Sequence, residues 1–169
     1  MFGDLQRSRL IAYSAAFIGL ITLGGWVSVP FVPVPFTLQT FFVLLAAAVM
    51  RRQAIIPVTL YVLLGILGLP VFHNGMAGPG ILLGPTGGYL IGFIPAALIA
   101  GFAWESKSWV CRITGLISAA LFILMCGVFW LVTSTGMPIL AAVLAGMLIF
   151  LPGEVAKSCV VYLIARQLP

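Results

Sequence analysis

Acidic residues are almost missing from this chain. Asp4, Glu105 and Glu154 are the only three among 169 residues, set against eight Lys and Arg. Charged residues of both signs amount to 7%, while 63% of positions are hydrophobic. Mean hydropathy is +1.26. That balance excludes a soluble globular domain, which cannot hide so much apolar surface from water. Histidine is nearly absent too. The single residue, His73, offers no metal cluster and has no obvious serine or cysteine partner for nucleophilic catalysis. No GxxxxGK[ST] segment is present, so if this protein moves a solute by spending ATP, the motor is another chain. Cysteine is scarce: Cys111, Cys126 and Cys159 lie in or beside apolar segments with no CxxC spacing, and read as small apolar filler.

What is there is a series of apolar runs long enough for membrane helices rather than barrel strands. Bounded by charges and Pro/Gly clusters, the runs lie at about residues 10–27, 38–50, 55–69, 86–104 and 113–132. The start has a faint signal-peptide character but no clear small-x-small cleavage site, so it reads as a retained first helix. Between the first two runs "SVPFVPVPFT" excludes regular helix, because Pro30, Pro33 and Pro35 fall every two or three residues. Pro95 is expected to kink the fourth run. The last stretch, 138–166, would be about 43 Å long as one helix, beyond a core of about 30 Å. Pro152 in "LPGE" suits a first helical position and disfavours helix just before it. A short helix at about 138–149 and a sixth span from Gly153 are therefore expected, with Glu154 in the first turn.

The resulting fold class is an all-α integral membrane protein of six transmembrane helices, with a short extra helix before the last span and one domain over residues 1–169. No internal repeat supports an inverted-repeat transporter. Scattered bases argue for loop orientation rather than nucleic-acid binding. With the N-terminus inside, Arg7, Arg9, Arg51, Arg52, Lys107, Arg112 and Arg166 all fall on the cytoplasmic side. The positive-inside rule then makes the protein multi-pass in the cell membrane with both termini cytoplasmic.

Lys157 is the one base that this rule leaves unexplained. It lies three residues from Glu154, on the same face of the last span, and an ionisable pair there is costly unless paired or hydrated. Two readings stand: a mutual salt bridge near the interface with Lys157 snorkelling, or a polar ligand site facing the bundle. Two other polar stretches lie on the same outward side: "VPFTLQTFF", with Thr37 and Gln39, and "FHNGMAGPGILLGPTGGYLIGF", with Asn74 and Tyr89. His73 reads as a solvated loop residue, and Trp26 as an interface aromatic more than a cap over the site. In the first helix, Ala12 and Ala16 form a small-xxx-small pair that permits close helix contact.

Four segments, "VPFTLQTFFVLLAA", "YVLLGILGLPVF", "GPTGGYLIGF" and "FLPGEVAK", together resemble the BioY family, the biotin-specific substrate-binding (S) component of energy-coupling factor (ECF) transporters. The match runs along nearly the whole chain in the same order. It implies a six-helix S component that is not an enzyme and carries no cofactor. It would bind biotin outside under its first and third loops and dock through its first helix onto a transmembrane coupling protein carrying two ATPases. Residue by residue, Glu154 and Lys157 take the acid and base of the family's ligand motif, Asn74 the third loop's polar contact, and Ala12 and Ala16 the Ala-x-x-x-Ala docking motif. The chain departs from the family in carrying Glu154 where Asp is usual, and in having no Lys or Arg between Arg52 and Lys107. The readings left beside this one are an S component for another small vitamin, a membrane-embedded enzyme and a structural multispan protein.

Overall fold

The computed structural model describes residues 2–168. Helix α1 (Phe2–Trp26) begins well before the first apolar run, with Asp4 in its opening turn where the helix dipole favours an acid. It buries one narrow stripe, Ser14, Phe17, Ile21, Gly24 and Gly25, and leaves most of its other positions exposed or half-buried. That pattern suits a helix surrounded by lipid, where apolar side chains on the outside cost nothing. Strands β1 (Ser28–Val29) and β2 (Phe36–Thr37) pair antiparallel, with Ser28 opposite Thr37, and the proline-rich segment forms the loop between them.

Helix α2 (Gln39–Met50) passes through a short 3-10 turn, Arg51–Ala54, into α3 (Ile55–Ile66). By length and composition the stretch Gln39–Ile66 counts as one apolar segment. It nevertheless doubles back on itself. Gln39 and Tyr61 would stand about 33 Å apart along a continuous helix, yet the Gln39 amide donates to the Tyr61 hydroxyl. The chain reverses at Arg51, whose φ of 55° lies in the left-handed half of backbone space. A 3-10 turn at His73–Gly75 and the short α4 (Pro79–Leu83) lead into α5 (Gly87–Trp104), which continues through Pro95. Helix α6 (Trp109–Thr135) is capped by the Ser108 hydroxyl and ends at Gly136, φ 69°. It packs along α5, and the buried core runs between them and α2.

The last stretch corrects one expectation. No break occurs at Pro152-Gly153. Helix α7 (Ile139–Val143) runs into a π-helical turn, Leu144–Leu148, and then into α8 (Leu151–Ala165) with right-handed backbone throughout. Pro152 lies in the first turn of α8, where its missing N–H is not needed. The mismatch appears one turn upstream. Phe150 N–H donates to Met147 O, three residues back, and the carbonyl of Gly146 accepts from the Tyr89 hydroxyl at 2.7 Å. A side chain from α5 thus satisfies a carbonyl that the irregular turn releases. The expected short extra helix is there, joined rather than separated.

All seven bases of the topology argument stand on elements at one end of the bundle. Arg52 Nε meets Glu105 Oε1 at 2.6 Å, and the Arg112 guanidinium lies 5.2 Å from the Trp104 ring centre. Trp104 in turn contacts Tyr162 in the last turns of α8. The N-terminal ends of α2, α5 and α8 meet at the opposite end.

Candidate functional site

Lys157 is buried nearly two turns inside α8, and its ammonium group is fully engaged. It donates to Thr37 O at 2.7 Å, to Thr40 Oγ1 at 2.8 Å and to Glu154 Oε1 at 2.7 Å. An ammonium has three donors, so none is left over. Its charge also lies 4.1 Å from the centre of the Phe36 ring. Thr40, one position past Gln39, in turn donates its hydroxyl to Glu154 Oε1 at 2.8 Å. Both donors therefore converge on one carboxylate oxygen. The other, Glu154 Oε2, is buried and has no partner among the described residues. Desolvating a carboxylate oxygen in this way costs free energy unless a donor arrives.

Glu154 lines a cavity of about 50 Å³ between the β1–β2 loop and the ends of α2, α5 and α8. Its walls include Phe36, Phe93, Leu124 and Phe150, with polar groups from Thr86, Tyr89 and His73. Phe36 and Phe150 stack with ring centres 5.9 Å apart and planes 2° from parallel. Phe36 reaches this position because residue 153 is glycine: a Cβ there would stand 2.6 Å from the Phe36 ring. On the opposite wall, His73 Nε2 pairs with Thr86 Oγ1 at 3.3 Å, and His73 Nδ1 is buried without a partner among the described residues. Burial lowers the His73 pKa, which favours the neutral ring. The N-termini of α2 and α5 add partial positive charge at this end of the bundle.

The remaining expected residues fall at different depths. Thr37 contributes its carbonyl to Lys157, and its hydroxyl donates to Gln39 Oε1 at 3.2 Å. Gln39 is buried in a relay through Tyr61, whose hydroxyl donates to Val71 O at 3.0 Å. Tyr89 lines the cavity with its ring while its hydroxyl is held by Gly146. Asn74 is not brought in. It is exposed, with φ 55°, and accepts a hydrogen bond from Ser28 Oγ at 2.6 Å. His73 takes the inward position instead. The left-handed turn that Asn tolerates points Asn74 out and its neighbour in. Trp26 is 53% exposed and donates to Pro70 O, outside the cavity. Thr40, Phe36, Thr86 and Phe150 were not singled out in the sequence. Thr40 and Phe36 carried a signal, flanking Thr37 and Gln39 within "FTLQT", and Thr86 lies inside "GPTGGY". Ala12 and Ala16 are far from this site, exposed on the outer face of α1.

A helical bundle with membrane-length apolar spans and, at one end, an apolar cavity edged by a buried ion pair defines a multi-pass membrane protein with a candidate small-molecule site. The comparisons are specific beyond that. The BioY family model matches residues 3–169, and the chain belongs to this family of transporters, not of enzymes. It is 43% identical over 125 residues to a biotin transporter BioY of Thermotoga maritima, covering 69% of this chain and 74% of that one. A probable biotin transporter BioY of Pyrococcus horikoshii is 34% identical over 164 residues, 96% and 98% of the two chains. The crystal structure of the S-component for biotin from an ECF-type ABC transporter superposes with a TM-score of 0.89 at 27% identity, covering 98% of this chain and 93% of that one.

Proposed function

We propose that this chain, as a single membrane-embedded domain, is the biotin-binding S component of an ECF-type importer. It captures biotin at the end of the bundle opposite the seven bases, with both termini in the cytoplasm. The observation that carries the reading is the unpartnered Glu154 Oε2 on the cavity wall. Biotin's cyclic urea has two N–H donors, and one of them meets that oxygen. Lys157 and Thr40 hold the other oxygen, so they aim the carboxylate rather than touch the ligand. Phe36 and Phe150 supply flat apolar contact to the fused ring.

Uptake is powered by partners: a transmembrane coupling protein, reached through the Ala12/Ala16 face of α1, and two ATPases. The test is titration of purified protein with biotin, desthiobiotin and an unrelated vitamin such as thiamine. Saturable binding of biotin and, through the same cyclic urea, of desthiobiotin is expected, with no binding of thiamine and about ten- to a hundredfold weaker biotin binding in Glu154→Gln. Binding of thiamine with no response to biotin would mean an S component for another vitamin.

A further inference from the structure

At the basic end a second cavity of about 470 Å³ opens between α1, the α2–α3 turn and the end of α5. Its rim carries the guanidinium groups of Arg9, Arg51 and Arg52, and its one acid is Glu105. Glu105 is already committed to Arg52 at 2.6 Å. Arg9 and Arg51 have no acidic partner among the described residues. Leu10, Val49 and Met50 add apolar surface to the lining. The turn that presents the arginines is tightly seated. Gly101 of α5 packs against the backbone of Arg51, where a Cβ would stand 2.5 Å from the Arg51 carbonyl oxygen. Arg51 itself holds φ 55° and ψ −137°, a conformation that is strained for a residue with a side chain and that clusters at functional sites.

We propose that this cleft binds the phosphate headgroup of an anionic phospholipid, with the first part of an acyl chain lying against Leu10 and Val49. Planar guanidinium groups match phosphate oxygens two at a time. A basic pocket beside apolar side chains, at the end of a membrane bundle, is the arrangement expected for lipid headgroups. The bundle end that carries it is the one read as cytoplasmic, which makes the lipid one of the inner leaflet; the test below does not depend on that assignment. The site is separate from the biotin cavity, which lies at the other ends of α2 and α5.

The experiment is thermal melting of the purified protein in micelles, with added phosphatidylglycerol or phosphatidylcholine of matched chains, alongside native mass spectrometry to count retained lipids. Phosphatidylglycerol is expected to raise the melting temperature and phosphatidylcholine to leave it unchanged. The Arg9→Gln/Arg51→Gln variant should need at least tenfold more phosphatidylglycerol for the same shift, at about fivefold per arginine lost. Unchanged biotin binding shows that the variant is folded. Should it not fold, Arg9→Gln alone, with about fivefold weaker response, makes the same test. The same lipid response in the variant as in the original protein overturns the proposal. So does an equal shift from millimolar inorganic phosphate, which would mark a free-anion site. Loss of co-purification with the coupling protein, with phosphatidylglycerol preference intact, would assign the cleft to a protein contact and equally overturn it.

Discussion

Replacing Lys157 by Met removes three hydrogen bonds and one charge while keeping an unbranched apolar stem of similar bulk. Glu154 then keeps only the Thr40 donor, and the Thr37 carbonyl loses its ammonium partner. Breaking a buried pair by deleting one member costs about 3–5 kcal/mol. Part of that cost falls on stability, because the carboxylate is left buried without its counter-ion. Part falls on the ligand. With Oε1 no longer pinned, Oε2 is no longer aimed at the cavity, and a charge-assisted hydrogen bond worth about 1.5–3 kcal/mol weakens or is lost. The expected loss of biotin affinity is about ten- to a hundredfold. Melting and biotin titration on the same samples separate the two effects. A double variant sharpens the test. Glu154→Gln/Lys157→Met replaces the ion pair by neutral groups and should recover much of the melting temperature, since removing both members of a buried pair is often near neutral. Its affinity should stay low, because the carboxylate is gone. Undiminished affinity in Lys157→Met, with only the melting temperature reduced, would make the pair a structural salt bridge and refute the reasoning.

Gly153→Ala places a methyl group 2.6 Å from the Phe36 ring, so Phe36 has to leave its stack with Phe150. The expected cost is about 1–3 kcal/mol of stability, read by melting, together with weaker biotin binding read by titration. Leu at both Ala12 and Ala16 covers the exposed face of α1. Co-purification with the coupling protein should be abolished and biotin binding kept, since the cavity lies elsewhere. Burial lowers the His73 pKa, so the unfolded chain takes up a proton that the folded chain resists. Stability then rises with pH through the unfolded value of about 6.5 and falls on acidification below it. Melting between pH 7 and pH 5 should show that fall, and His73→Gln should flatten it.

Much of the fold was legible because membrane helices are specified by local quantities. Run length, the placement of seven bases and the prolines of the β1–β2 loop each act over a few residues, and the bilayer supplies the rest of the constraint. The pairing of Glu154 with Lys157 was legible for the same reason: three residues on a helix fix which groups share a face. Pro152 was expected to break the last stretch and does not, because it falls in the first turn of α8. The irregular turn lies upstream, at Leu144–Leu148, where Tyr89, from another helix, donates to the Gly146 carbonyl. The site was decided at long range as well. Thr40 stands 117 positions from Lys157, and the Thr37 carbonyl 120, so no window of sequence shows that all three ammonium donors are used. His73 and Asn74 are adjacent and both polar, and only the direction of one left-handed turn sent His73 into the cavity and Asn74 toward Ser28. Composition and periodicity determine which segments enter the membrane. Which oxygen of Glu154 is left open for a ligand is decided by how three helix ends meet.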